Sequence, residues 1–538
     1  MDDLKAAVRL LLDNSRTIPP EALDVLRTSN DPVGLAERII ESTAPSTIVD
    51  RPLLVRLLRG KTPQQDSSPR TSRLPSRPRN RSSLLSQLIN KTPSTTPVGA
   101  TSSVPKSQTS INTSLEELSS GLHGYESKLE IIRDPLLSDN LVGDINDMVG
   151  YFQNRYKKLS KIFRGRSDIH NLTKIRHIKR NQRDISVIGM LTEKVLTSED
   201  SGRLILEDPT SEHSLEVVLS SEELIEKALH TMTDSVICVQ GMVSDKGTFY
   251  AEKILLPDVP HRSQNAKKTA DVPVHVAFLS DIHIGSKGFL SDPMEKFIQF
   301  LNGEYGNIKE QKLGLHTKYV MFSGDVVDGV GIYPGQIEDL AMDSIHDQYN
   351  TFASFVERIP EDVEVVVIPG NHDMVRSAEP QPRISPQFAP DLANLSNVRL
   401  LPNPSQVSLH GVQTLLYHCT SLPDILNHIP GLSIDKPVDV MVHMLQARHL
   451  APIWGDKTPI ATEPEDHLVI DPLPDIFHGG HVHINGYGGY HGVQIINSGT
   501  MQEQTSFQKS LNIDPTPGLV PLINLHTRKP SLLDFMSG

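Results

Sequence analysis

The chain has 538 residues, with 52 Lys and Arg against 65 Asp and Glu and a formal net charge of −13. That length predicts two to four domains, and the acidic balance excludes a protein whose whole surface grips a polyanion. Two cysteines, Cys238 and Cys419, exclude a disulfide framework and fit a reducing setting. The opening MDDLKAAVRLLLDN lacks the basic head of a signal peptide, and no run approaches 18 apolar residues. A cytoplasmic location without membrane contact is therefore expected.

Residues 1–60 read as a small helical module, with "LKAAVRLLLD", "PPEALDVLRT" and an N-cap-proline pair, Asp31-Pro32, opening "VGLAERIIES". A unit that small is expected to be a docking element. Residues 61–114 are rich in Ser, Pro and Arg and too poor in apolar residues to offset their ordering entropy, so a disordered linker is expected. Its Arg70, Arg73, Arg77, Arg79 and Arg81 make either a solvated tether or a flexible contact to DNA phosphates. Residues 115–182, with "YFQNRYKKLSKIFRGR", read as a helical connector.

The period then changes to two. "DISVIGML", "GRLILED", "SLEVVLS", "SVICVQGMV" and "TFYAEKILLP" predict five short strands, with a helix, "SEELIEKALHTM", before the fourth. That order predicts an OB-fold β-barrel over 183–258. It offers only Phe249 and Tyr250 as aromatics and few basic residues, so docking a partner is at least as good a use as binding single strands.

From 273 to 528 the chain predicts an α/β sandwich, making the whole a multidomain α+β protein. Its strands read "HVAFLSDIH", "KYVMFSGDVVD", "VEVVVIPGNHD", "VQTLLYH", "VDVMVH", "DIFHGGHVH" and "VQIINSG". Near-continuous β-branched runs are strands buried on both faces. Polar residues fall at their C-terminal ends, where open α/β sheets place ligands: Asp281 and His283, Asp325 and Asp328, Asn371, His372 and Asp373, His418, and His481 and His483. In a strand, residues i and i+2 share a side, so the last two would face one point. Alone, Asp328 reads as a cap and His418 as a packed histidine; five such ends in one domain point to a metal site. Mixed oxygen and nitrogen donors suit manganese, iron or zinc, and paired ions of that kind hydrolyse phosphoesters.

Several further residues have two readings each. His443 and His449 contact substrate or pack; His478 supports a ligand from behind. Tyr487, Tyr490 and Trp454 stack on frayed bases or lie in loops. The tail, 529–538, is a docking motif or a frayed end.

The series D-x-H, G-D-x-x-D, G-N-H-D, H and G-H-x-H, in this order, resembles the calcineurin-like metallophosphoesterases. The resemblance implies one metal held by Asp281, His283, Asp325 and His483, and a second by Asp325, Asn371, His418 and His481, with Asp325 bridging. It implies that His372 assists the leaving group and that Asp373 orients it. Over about 180–528 the chain is also similar to the B-subunits of DNA polymerases. Phrases such as "GVGIYPGQIEDL", "ARHLAPIWGDKTPIA" and "NIDPTPGLVPLINL" resemble the small-subunit family of archaeal family D polymerases. Eukaryotic B-subunits share the layout without the ligands, which this chain retains. The resemblance implies a 3′→5′ exonuclease that proofreads by hydroxide attack on the terminal phosphodiester. It implies two divalent ions, manganese favoured over iron or zinc. The implied partners are DNA 3′ ends, a large polymerase subunit and replication accessory proteins. A scaffold that mainly docks the large subunit and a stand-alone phosphoesterase are the alternatives. Cys419 stands where the family has glycine after the fourth-motif histidine, which puts that loop's geometry in question.

Overall fold

The computed structural model describes residues 7, 10–11, 32–42, 125–138, 143–198, 201–261 and 267–537. The chain divides into two compact units, Met1–Gln108 and Thr109–Gly538. In the first, a helix spans Pro32–Ser42 and buries Leu35, Ala36 and Ile39 on one stripe. The Ser/Pro/Arg-rich segment expected to be a linker, with its five arginines, lies outside the described residues.

The second unit contains all the strands among the described residues. β1 (Leu129–Arg133) and a long helix (Ile145–Arg164) come first. Asp144 caps that helix, its side chain accepting from the Asp147 N–H while Asp147 answers with its own carboxylate, so two otherwise orphaned N–H groups are satisfied. β2 (Ile185–Ser198), β3 (Ser201–Glu207), β4 (Leu215–Leu219), β5 (Val236–Val243) and β6 (Phe249–Leu255) then close a barrel in the order β2-β3-β4-β6-β5. Inward residues alternate along β3, and the helix Glu222–Leu229, capped by Ser221, plugs the barrel core with Leu224, Ile225 and Ala228.

Eleven further strands complete the unit among the described residues: β7 (His275–Leu279), β8 (Thr317–Ser323), β9 (Glu364–Ile368), β10 (Val398–Leu400), β11 (Ser405–Leu409), β12 (Val412–Leu416), β13 (Ile476–Gly479), β14 (Gly486–Tyr490), β15 (Val493–Asn497), β16 (Leu519–Asn524) and β17 (Pro530–Asp534). With β1 they form two six-stranded sheets, β1-β11-β12-β13-β15-β14 and β10-β9-β8-β7-β16-β17. The inner faces meet where Phe278, Met321 and Val366 of one sheet pack with Val407, Leu416 and Ile496 of the other. Outside the second sheet, the helices Ser291–Leu301 and Ile345–Val356 pack through Phe297, Tyr349 and Phe352. Val440, Met441, Met444 and Leu445, on the helix Pro437–Ala447, cover the other sheet. Helices on both outer faces explain why the central strands are apolar on both sides.

Three expectations are corrected. "VDVMVH" is not a strand: it lies in the helix Pro437–Ala447. Proline in the first turn and buried residues three and four apart let that β-branched run cover a sheet, against its local preference. The region 115–182 is not wholly helical, because Leu129–Arg133 adds an antiparallel strand to β11. The tail neither frays nor hangs free: β17 pairs with β16, and Phe535 is buried against Phe297 and Phe300. A segment that short has no core of its own, so only the neighbouring strand and helix decide its state. Among the described residues no helix is long and apolar enough to cross a membrane.

Barrel and sandwich are joined through the long helix. Arg155 is fully buried on it, its Nε 2.8 Å from Asp466 Oδ2, and its Nη1 donates to the Pro452 and Asp234 carbonyls. Trp454 packs on Tyr151 and Phe152 of the same helix.

Candidate metal centre

The chain leaving β7 carries Asp281 and His283, and that leaving β8 carries Asp325 and Asp328. Asn371, His372 and Asp373 follow β9, His418 follows β12, and His481 and His483 follow β13. Two sheets thus deliver their strand ends to one place. Ligand atoms of Asp281, His283 and His483 lie within 4.8 Å of one another, as do those of Asp325, His418 and His481. Asn371 Oδ1 joins the second group, 3.1 Å from His418 Nε2. Asp325 Oδ2 is 3.2 Å from His418 Nε2 and 4.0 Å from His283 Nε2, between the two groups.

The backbone explains how short loops aim so many side chains. Asp281, His283, Asp325, His481 and His483 all have φ between 52° and 74°. Non-glycine residues rarely adopt that left-handed region, and such strain clusters at functional sites. His481 and His483 therefore do not sit side by side on a strand, which ends at Gly479. One joins Asp325 and His418, the other Asp281 and His283. Gly480 permits the approach, since a Cβ there would meet Asp281 Oδ2 at 2.7 Å. Cys419 also lies in the left-handed region, at φ 74°, and its buried thiol belongs to no ligand group among the described residues.

The electrostatics fit cations. Asp281 Oδ1 is buried with no hydrogen-bond partner, although its companion Oδ2 accepts from the His481 N–H. Buried acceptors are almost always satisfied, so an orphaned carboxylate oxygen facing ring nitrogens marks a place for a positive charge. Burial pushes the Asp281 carboxyl up to about 6, against the pull of His418. Burial also opposes ionisation of Asp325, but His418 and His372 hold it well below the carboxylate range. Burial lowers His481 to about 3, leaving a neutral ring able to offer a lone pair. The donor set fits a pair of divalent ions.

Around these groups lies a layer of orienting contacts. Asp328 is more than a cap: its Oδ1 is 3.0 Å from His283 Nδ1 and fixes that ring with Nε2 inward. Gln336 and Gln502 donate to the Asp328 carboxylate. The spacing in "GDVVD" exposed Asp328, but no sequence signal tied the two glutamines to it. Asp373 does not orient His372. Its Oδ2 accepts from the Asp325 and Gly370 N–H groups and its Oδ1 from the Tyr349 hydroxyl, so it braces two ligand loops. His372 is aligned instead by Asp328, whose carbonyl is 2.8 Å from its Nδ1.

The remaining residues lie elsewhere. His478 is held between Ser323 and Ser498 behind the ligands. His449 pairs with Asp466, and His443 stacks with His230. Trp454 is packed against the long helix; the Tyr490 hydroxyl donates to Asp258, and Tyr487 is exposed with its hydroxyl accepting from Gln494.

Residues 276–483 match the family of DNA polymerase alpha/epsilon B-subunits. The chain is 42% identical over 408 residues to the DNA polymerase II small subunit of Methanothermobacter thermautotrophicus, covering 76% of this chain and 83% of that protein. The same subunit of Methanocaldococcus jannaschii is 39% identical, over 78% of this chain and 70% of its own length; that of Archaeoglobus fulgidus is 42% identical, over 73% and 78%. An archaeal phosphodiesterase structure aligns with 48% of this chain and 99% of its own at 11% identity and a TM-score of 0.25, a likeness too slight to weigh. With relatives of that identity matched along most of their length, the chain belongs to the family of DNA polymerase II small subunits.

Proposed function

We propose that this chain supplies a 3′→5′ proofreading exonuclease to a two-subunit DNA polymerase, acting on DNA 3′ ends beside a large catalytic subunit. The observation that carries the reading is the complete ligand set: two groups of buried or half-buried donors with Asp325 between them. One ion would be held by Asp281, His283, Asp325 and His483 and the other by Asp325, Asn371, His418 and His481, with manganese favoured. Bound there, such a pair supplies a nucleophile at neutral pH and neutralises charge on the phosphoryl oxygens.

The chain's own groups do the rest. The His372 backbone N–H donates to Asp325 Oδ1, which leaves Oδ2 facing the histidines. The His372 ring, with Nδ1 tied to the Asp328 carbonyl, keeps Nε2 to hold a proton for the departing 3′ oxygen. The closed five-stranded barrel, read as an OB-fold, docks the large subunit, and the arginines from Arg70 to Arg81 contact DNA phosphates. We infer the domain division expected from the sequence, with the strand Leu129–Arg133 and β17 assigned to the phosphoesterase domain because they pair with its β11 and β16.

Hydrolysis of a 3′-mismatched primer–template in Mn²⁺ tests the reading, using wild type, His481→Ala and Asp325→Ala. Release of 3′ nucleotides by wild type alone is expected. No cleavage by wild type, even with its large subunit present, overturns it in favour of a scaffold.

A further inference from the structure

The loop that follows Asp328 exposes an unusual amount of apolar surface beside the site. Val330, Ile332, Tyr333 and Ile337 are 44%, 39%, 41% and 61% exposed, and Met374, two residues beyond His372, is 47% exposed. Single exposed apolar residues need no explanation, but five around one strand-end site do.

This loop is fixed rather than slack. Buried Gln348 accepts from the Gly329 N–H at 2.9 Å and donates to the Gly329 carbonyl at 3.1 Å. Buried Gln336 accepts from the Ile332 N–H and donates to both the carbonyl and the carboxylate of Asp328. The Tyr333 hydroxyl donates to Asp339. Gly329 is at φ 74°, and a Cβ there would meet the His372 carbonyl oxygen and, at 2.9 Å, Ile332 Cδ1, so Ile332 lies beside His372. Polar side chains thus point inward to the base of the loop and apolar ones outward, in a fixed ledge joined to the residue that orients both His283 and His372.

The chemistry of the ledge selects its occupant. Residues 329–340, GVGIYPGQIEDL, contain no Lys or Arg and carry Glu338 and Asp339. The nearest arginine in the β9 loop, Arg376, is already paired with Glu463. Lys287, which touches the ledge from the loop after β7, donates its ammonium to the Glu338 carbonyl. The apolar and acidic groups of the ledge itself disfavour a phosphate backbone, whereas aromatic and aliphatic side chains take the flat face of a base whatever its sequence. The terminal base of a paired end is held in the duplex by its partner and its stacked neighbour, whereas an unpaired terminal base can leave the stack at little cost and lay a face on such a surface. We propose that Ile332 and Tyr333, flanked by Val330, Ile337 and Met374, form a platform that receives the unpaired 3′-terminal base and so selects frayed over paired ends. This rests on the nuclease reading and names the feature of the substrate that the site recognises.

The test is binding of the full chain, in EDTA, to oligonucleotides carrying 2-aminopurine at the 3′ terminus, followed by fluorescence. One has a single-stranded end and one a fully paired end, each against wild type, Ile332→Ser and Tyr333→Ser. Wild type is expected to change the fluorescence of the unpaired end and to bind it more tightly than the paired end. Each variant is expected to bind the unpaired end about 10-fold more weakly, with little change for the paired end. Equal binding of both ends by wild type, or variants that bind like wild type, overturns the platform. Variants that keep the fluorescence response but no longer assemble with the large subunit also overturn it, since the ledge is then a protein contact. Because the measurement needs no metal and no turnover, a failure of nuclease activity in Mn²⁺ reads separately.

Discussion

His283 and His483 point their Nε2 atoms at one another across 3.0 Å, although they lie 200 residues apart. The ring nitrogen of His283 opposite that contact is held by Asp328, so the inward atom is fixed before any ligand arrives. With Asp281 Oδ1 orphaned 3.5 Å from His483 Nε2, three donors converge without enough protons to satisfy them.

Each ligand group should therefore bind its own ion. His483→Ala and His481→Ala should each reduce bound manganese from two ions to one per chain, read by elemental analysis after gel filtration. Phosphodiester hydrolysis should fall by more than the roughly 100-fold expected for loss of an outer contact. Loss of both ions in either variant would mean that the two groups do not bind independently.

Asp328→Ala removes no ligand but frees the His283 ring and unties Gln336 and Gln502. Manganese affinity should fall about 10- to 100-fold, measured by titration calorimetry, with the circular dichroism spectrum unchanged. An unaltered affinity would return Asp328 to the role of a simple cap.

Arg155→Met should destabilise the second unit by about 3–5 kcal/mol, because it strands the fully buried Asp466 beside a His449 ring that burial, lowering its pKa to about 4, keeps neutral. Urea unfolding monitored by tryptophan fluorescence suits this test, since Trp454 packs on the same helix. Adding Asp466→Leu should restore part of the loss; if the double variant is no better than the single, the buried pair is not the cause.

Glu379 gives a pH signature. It is fully buried, one carboxylate oxygen accepting from the Tyr417 hydroxyl and the other without a partner. Burial pushes its carboxyl up to about 7 from an ordinary 4.5. The folded state then holds a proton that the unfolded chain releases, so stability falls as pH rises from about 4.5 to 7, by an amount on the order of 3 kcal/mol. Glu379→Gln should flatten that part of the stability profile. A slope that is the same in the variant would place the titration elsewhere.

The sequence alone determined the features that depend on local chemistry. β-branched runs marked the central strands of the sandwich because those strands are buried on both faces. The alternating barrel strands were legible because one face is wet. Polar residues after each apolar run marked the ligand loops, since a strand's C-terminal end is where backbone direction is free to change. Tertiary structure decided what two separate elements do together. Which histidine faces which group depends on left-handed backbone at His481 and His483 and on two sheets meeting at one end, neither of which a spacing of two encodes. Asp373 turned to Asp325 rather than to His372 because the Asp325 and Gly370 amides lie within its reach. "VDVMVH" became a helix because a sheet face needed covering, and the C-terminal strand formed because β16 offered an open edge and Phe297 and Phe300 a place for Phe535. In each case a segment with weak preferences took the state that buried its apolar atoms and satisfied its backbone, and only the surrounding fold says which state that is.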